Sequence, residues 1–277
     1  MAGESGDQSP HLDKQEREQA AERAPVGPLV IHEIVREQGL EELERSFSGL
    51  AWSGLAAGLS VGFSFLSDAT IEAALPDVSW SRLIASLGYS IGFLIVILGQ
   101  QQLFTETTLT ALIPALTERD RGMIFRTFRV WAVVLVANIV PTWLWGWFAA
   151  RSGVFPAETL VAMQHLGAAT MAHDFWQTVA LAALAGWLIG LMVWLLPASG
   201  PAKPFLIVIL TTMVAVFGTP HIIAGSAECV FSVMSGHASV HEYVVRFFLP
   251  TLLGNTIGGT VLAALLNHAQ IRGELRI

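Results

Sequence analysis

His221 follows Gly218-Thr219-Pro220 directly, in the middle of the otherwise apolar run 211–228, and is followed by Ile222-Ile223-Ala224-Gly225. A titratable side chain beside a helix break at hydrocarbon depth is costly, and in a membrane protein it marks a functional position. Broken backbone is tolerated at that depth only where it is buried in protein or lines a cavity. Histidine there has two uses. It can stand as a cation at the crossing point, or it can take up and hand on a proton, because its unperturbed pKa lies near ~6.5. A structural histidine with both nitrogens satisfied is the plainer alternative.

A second interruption offers further polar groups. The apolar run that starts near Arg82 meets Gln100-Gln101-Gln102 and then Leu103-Phe104-Thr105-Glu106. Three glutamines and a glutamate do not sit in lipid, so this helix is expected to break as well. Glu106 either caps the half-helix that restarts there or faces the pore with its negative charge. Glu228 poses the same question from the other break. Half-helices starting at Glu106 and Ile222 would aim backbone N–H groups at the site. Asn138 and Asn255 are expected to tie broken-helix backbone together rather than to touch solute. His237 and His241 have the i, i+4 spacing of a metal pair, but with no third ligand in view a solvated loop is the preferred reading and no metal site is expected. Cys229, the one cysteine, excludes an internal disulfide and is read as a small packing residue.

The elements that must position these residues are membrane helices. Of the 277 residues 53% are hydrophobic and 13% charged, far below the charge of a soluble domain. Several windows of about 20 apolar residues are long enough to cross a bilayer. The first 46 residues differ in kind, holding eleven of the 22 acids and five of the 15 bases, so the net charge of -7 belongs almost wholly to them. The chain opens MAGESGDQSP, polar where a signal peptide has its apolar core. There is no phosphate loop, no HExxH and no basic patch suited to nucleic acid. Neither an enzyme nor a cofactor is expected.

Taken in order, residues 1–27 are polar and expected to be disordered. Residues 28–45 space Leu29, Ile31, Ile34, Val35, Leu40 and Leu43 along a helix face with an acidic opposite side. That pattern predicts a cytosolic helix docked on the body. Span one covers 47–66, where Gly54, Gly58 and Gly62 allow close approach of another helix. Span two is the broken run from Arg82 to about Leu116, and span three covers 130–149 with Trp131, Trp143, Trp145 and Trp147, read as interface belt. A polar excursion at 151–174, with a short surface helix, leads to span four at 175–196. Span five is the broken run around His221, and span six covers 243–266. Arg119, Arg121, Arg126, Arg129, Lys203, Arg272 and Arg276 fall on the side of both termini, which the positive-inside rule makes cytoplasmic. The halves correspond: spans two and five break, while spans three and six carry Asn138 and Asn255. The fold class is therefore an all-α membrane protein with six transmembrane helices in 3+3 inverted repeats, the second and fifth broken. The division is a tail, 1–46, and a membrane domain, 47–277.

Five motif pieces occur in order: Leu103-Phe104-Thr105, Ala137-Asn138, the tract from Phe175 through Trp187 to Trp194, His221 with Ile223-Ala224, and Gly254-Asn255 with Gly258-Gly259. On these the chain resembles the formate/nitrite transporter family over about 47–267. The resemblance implies an aquaporin-like fold, a pore in each protomer, a homopentamer in a bacterial-type inner membrane, and small monovalent weak-acid anions as solute. It implies that Thr105 hydrogen-bonds His221, that apolar constrictions fall on Tyr89, Phe93, Phe104 and Val214, and that Leu103 and Gly258 belong to the pore motif and its support. Gly186, Pro220, Gly225, Thr170 and Glu106 depart from the family pattern, which places polar residues at the first three, a lysine at 170 and a small residue at 106. The leading expectation is a channel or proton-linked transporter for formate- or nitrite-like anions. The alternatives are a pore for small neutral solutes on the same fold, and a membrane scaffold without transport.

Overall fold

A computed structural model describes residues 11, 13–16, 24–118 and 120–273, and among these every element is helical. Arg119, Arg276 and most of the 1–23 segment lie outside the described residues. Helix α1 spans Pro28–Glu44 and α2 spans Phe47–Ala74. Helix α3 runs Ser81–Leu98, α4 Phe104–Thr110, α5 Leu112–Glu118 and α6 Arg121–Arg151. Then come α7 (Ala157–Thr170), α8 (Phe175–Ser199), α9 (Lys203–Val216), α10 (Ala224–Met234) and α11 (Val240–Ile271). Five helical stretches are long and apolar enough to cross a membrane: α2, α3, α6, Phe175–Val216 and α11. The fourth is 42 residues, about twice one crossing, and holds both α8 and α9 with Gly200 at φ 47 between them.

Helix starts are written locally. The Ser46 side chain accepts from the Gly49 amide and Asp120 from the Met123 amide. Asp174 with Gln177, and Ser239 with Glu242, form complete capping boxes. The glycines of α2 do what their spacing predicts. A Cβ on Gly54 would lie 2.7 Å from that of Ala137, and one on Gly58 would lie 2.4 Å from the Asn138 carbonyl oxygen. Helix α6 therefore packs on α2 with backbone in near contact. Two of its tryptophans are inter-helix ties: Trp131 Nε1 donates to Thr107 O (2.8 Å) and Trp145 Nε1 to Leu59 O (2.7 Å).

Two boundaries differ from the sequence reading. Helix α2 continues to Ala74, beyond the apolar run, because Asp68 is buried against Arg82 of α3 at 2.6 Å. Helix α7 is no surface helix: Met163 is fully buried, and Ala162 and Leu166 pack with Phe65 and Phe231.

Helix α1 docks on the body through Ile31, His32, Val35, Gly39 and Leu43, a four-residue repeat, while Leu29 stays exposed. Arg129 Nη2 donates to the Leu43 and Arg45 carbonyls at its C-terminal end. Its acidic side is not wholly outward. Glu42 accepts from Thr110 Oγ1 (2.6 Å) and Gln102 Nε2 (3.4 Å). Burial raises the Glu42 carboxyl from 4.5 to about 7 against those two hydrogen bonds, while burial, helped by His268, lowers His32 from 6.5 to about 4. Docked Glu42 therefore holds a proton between pH 4.5 and 7 that the released helix does not, so docking weakens as pH rises through that window. His32 has the opposite sign, weakening docking as pH falls from 6.5 to 4. Glu42→Gln removes the first effect. At pH 8, amide exchange across 28–44 is expected to be slower than in the wild type, by an amount equivalent to about 1–3 kcal/mol. Equal exchange in both proteins would show that the carboxyl does not oppose docking.

Candidate functional site

The two breaks are built alike. Helix α3 ends with Gln100 N–H on Ile97 O (3.3 Å) and Gln101 N–H on Val96 O (2.9 Å), around Gln100 at φ 52. Helix α9 ends with Gly218 N–H on Ala215 O (3.1 Å) and Thr219 N–H on Val214 O (3.0 Å), around Gly218 at φ 61. Both are Schellman terminations, the paired 5→2 and 6→1 bonds about a left-handed residue. Glycine adopts that conformation freely; Gln100 does so with its own side chain donating to Ile97 O at 3.0 Å.

Beyond each break an asparagine gathers the chain. Asn138 Oδ1 accepts from Phe104 N–H (2.8 Å), and its Nδ2 donates to Gly54 O (2.8 Å) and Gln102 O (2.9 Å). Asn255 Oδ1 accepts from Ile222 N–H (2.8 Å), and its Nδ2 donates to Ala182 O (2.8 Å) and Pro220 O (3.0 Å). Each asparagine holds the amide that opens the new segment, the carbonyl two residues before it, and one carbonyl of a neighbouring helix.

Thr105 and His221 meet between the breaks, Oγ1 to Nε2 at 2.7 Å, with exposures of 0% and 1%. His221 Nδ1 accepts from the amides of Ile223 and Ala224, both at 3.3 Å, so the ring also caps the first turn of α10. The tautomer that satisfies these contacts carries its proton on Nε2 and donates to Thr105 Oγ1. The Thr105 hydroxyl proton is then free to be given to a third group. Phe93 lies edge-on to the imidazole, ring centres 5.0 Å apart.

Two cavities approach the pair from opposite ends of α3. One, about 200 Å³, is lined by Tyr89, Val214, Pro220 and His221, with Arg82, Thr170, His173 and Glu228. The other, about 540 Å³, is lined by Gln100, Gln101, Gln102 and Glu106, by Thr110 and Lys203, and by Glu42 of α1. Leu103 and Phe104 (0% and 3% exposed) and Phe93 are buried in the core, lining neither cavity. The residues singled out in the sequence thus fall into one assembly. His237 and His241 stand apart from it: His237 lines a separate surface hollow with Arg151 and Gln164, and His241 lies in the first turn of α11.

Two of the departures, Gly186 and Gly225, have steric reasons. A Cβ on Gly186 would lie 2.3 Å from the Asn255 carbonyl oxygen, and one on Gly225 would lie 2.6 Å from the Phe247 ring. The space of the expected polar side chains is thus filled by backbone at one place and an aromatic ring at the other. Thr170 donates its hydroxyl proton to Glu228, so at that position the cavity holds a carboxyl–hydroxyl pair instead of an ammonium. Arg82 in the same cavity is engaged by both Asp68 and Glu72. Sequence reasoning missed Glu42 and Arg82 as cavity residues. Glu42 sits on a segment read as outside the membrane body, and Arg82 looked like a span boundary.

Buried broken helices held by asparagines, with a hydroxyl–imidazole pair between two cavities, stand among helices long and apolar enough to cross a membrane, the class of a membrane transport protein. The formate/nitrite transporter family model matches residues 29–269, and the chain belongs to that family. It is 40% identical over 254 residues to the inner membrane protein YfdC of Escherichia coli K12, covering 92% of this chain and 82% of that one. It is 23% identical over 273 residues to the formate channel FocA of the same organism, covering 86% and 92%. Among solved structures, an FNT family ion channel superposes with a TM-score of 0.74 at 20% identity, covering 87% of this chain and 98% of that one. A pentameric formate channel with formate bound gives 0.66 at 19%, covering 86% and 99%. These two likenesses establish the fold.

Proposed function

We propose that this protein passes small monovalent weak acids of the formate and nitrite kind across a bacterial inner membrane, by way of the Thr105–His221 pair, as a channel or proton-linked transporter. The observation that carries the reading is the 2.7 Å bond joining the two breaks, with a cavity leading to each side of it. The path is narrowed by Tyr89, Phe93, Phe104 and Val214, with Leu103 closing behind the pair and Gly258 keeping α11 against α8. The pore rests on six crossings in two inverted sets of three: α2, the broken α3–α5 and α6, then α8, the broken α9–α10 and α11. The matched Schellman ends and asparagine ties support this symmetry. The 1–46 segment is a cytoplasmic tail, both termini are cytoplasmic, and five protomers assemble around separate pores.

The site works as a donor of hydrogen bonds. With Nδ1 facing two amides, the ring's one proton points at Thr105, which in turn offers its own to the solute. A bare anion between these apolar walls meets a large desolvation penalty. The hydroxyl and the N-termini of two half-helices offset part of it, and neutralisation of the solute by a proton removes the rest. A second reading, a pore for uncharged solutes, draws on Glu106, whose carboxylate stands one residue from Thr105 in the larger cavity.

Flux of formate, nitrite and a neutral control into proteoliposomes between pH 5 and 8 tests these readings. Formate and nitrite are expected to enter faster as pH falls. His221→Ala is expected to lower their flux at least about tenfold, by removing the donor to Thr105 and the cap of α10. Thr105→Val should lower it by about tenfold and Thr105→Ser much less, because serine keeps the hydroxyl. Unchanged flux in His221→Ala, or passage of the neutral control alone, would overturn the proposal.

A further inference from the structure

The cavity roofed by α1 contains more unmet acceptors than its place on an anion path can use. Among the described residues seven buried side-chain nitrogen or oxygen atoms lack a hydrogen-bond partner. Three of them, Gln101 Oε1, Gln102 Oε1 and Glu106 Oε1, belong to side chains lining this one cavity, and all three are acceptors. Gln102 is only 9% exposed. Its amide cannot simply be turned, because Nε2 faces Glu42 Oε1 at 3.4 Å and the reversed amide would set oxygen against carboxylate. Buried acceptors left in this way are costly, a cost that a donor or a cation would relieve.

We propose that this cavity binds a small monovalent cation on the oxygens of Glu106, Gln101 and Gln102, with Glu42 beside them. Charge fixes the valence. Above pH 7, where Glu42 has given up its proton, the lining carries Glu41, Glu42 and Glu106 against Arg45 and Lys203, leaving at most one formal negative charge. Carboxylate and amide oxygens without a nitrogen or sulfur ligand suit a hard cation or an ammonium ion. Two amide oxygens and so little net charge do not suit a divalent ion, which draws on several carboxylates. Glu42 already accepts from Thr110 and Gln102, so it supplies field more than a free ligand site. With the cation in place, the carboxylate next to Thr105 is neutralised and a weak-acid anion can reach the pair. The cation thus acts as the counter-ion that the acidic mouth requires. Binding itself does not depend on the transport reading.

The test uses the full-length purified protein in detergent, in N-methylglucammonium chloride exchanged at constant ionic strength for sodium, potassium or ammonium chloride. One of the three small cations is expected to raise the unfolding temperature in a saturable way. Glu106→Gln keeps the shape and removes the charge, and should raise the half-saturating concentration about tenfold or more. Gln102→Met removes one neutral oxygen and should weaken binding by less, which guards against a Glu106→Gln protein that does not fold. Identical unfolding temperatures in all four salts, or a saturable rise untouched by both substitutions, overturns the proposal. Cation-dependent stabilisation in a protein that passes neither formate nor nitrite would leave the site standing and remove the transport reading.

Discussion

Asn255→Leu is expected to abolish recovery of folded, monodisperse protein, and Asn138→Leu to do the same. Leucine fills nearly the same volume, so the effect isolates the polar atoms. Without Asn255 the Ile222 amide and the carbonyls of Ala182 and Pro220 lose their shared partner; without Asn138 so do the Phe104 amide and the carbonyls of Gly54 and Gln102. Both asparagines are 0% exposed, so water cannot replace them. Two of the three, the opening amide and the carbonyl two residues before it, are orphaned outright, while the Gly54 and Ala182 carbonyls keep their own helical amide partners. At about 1–3 kcal/mol each, the two orphans are a large share of the whole stability of an ordinary fold, about 5–15 kcal/mol. Aspartate is no rescue, since its second oxygen would face two carbonyls. Gel filtration and thermal unfolding in detergent decide it: a leucine variant that melts with the wild type would mean that the breaks are held by packing.

Gly186→Asn, which installs the side chain the family pattern places there, should destabilise rather than restore. Its Cβ would sit 2.3 Å from Asn255 O and 2.8 Å from Asn255 Cα, and those atoms are backbone with nowhere to move. Helix α8 would have to part from α11 at the point where Asn255 holds the break. Overpacking of this kind costs about 1–3 kcal/mol. Here it also displaces the tie, so a larger loss is expected. Gly186→Ala gives the control, with the same first carbon and no polar group. If Gly186→Asn melts with the wild type and gains flux, α8 and α11 have more freedom than their contact implies.

Much of this was legible in the residues. The apolar runs marked the membrane helices, and two polar interruptions marked the breaks because hydrocarbon admits neither glutamine nor an open turn. Gly54, Gly58 and Gly62 signalled the α2–α6 contact. The Thr105–His221 bond came from a motif, since 116 residues separate the partners and no local rule joins them. The hidden part was whatever depended on a third body. Nothing in the order of residues says that Nδ1 of His221 is spent on capping α10. Glu42 looked like one acid among many on a polar face until α1 was laid across the mouth. Arg82 looked like a span-end charge until α2 ran past its apolar run to meet it.

The two Schellman ends lead to one more consequence. Gly218 takes its left-handed turn freely, whereas Gln100 does so at φ 52 with a side chain attached, at about 1 kcal/mol of backbone strain. The molecule is therefore lopsided along its axis. One break is unstrained, and the other carries that cost, with Ile97 O accepting from both the Gln100 backbone N–H and its side-chain Nε2.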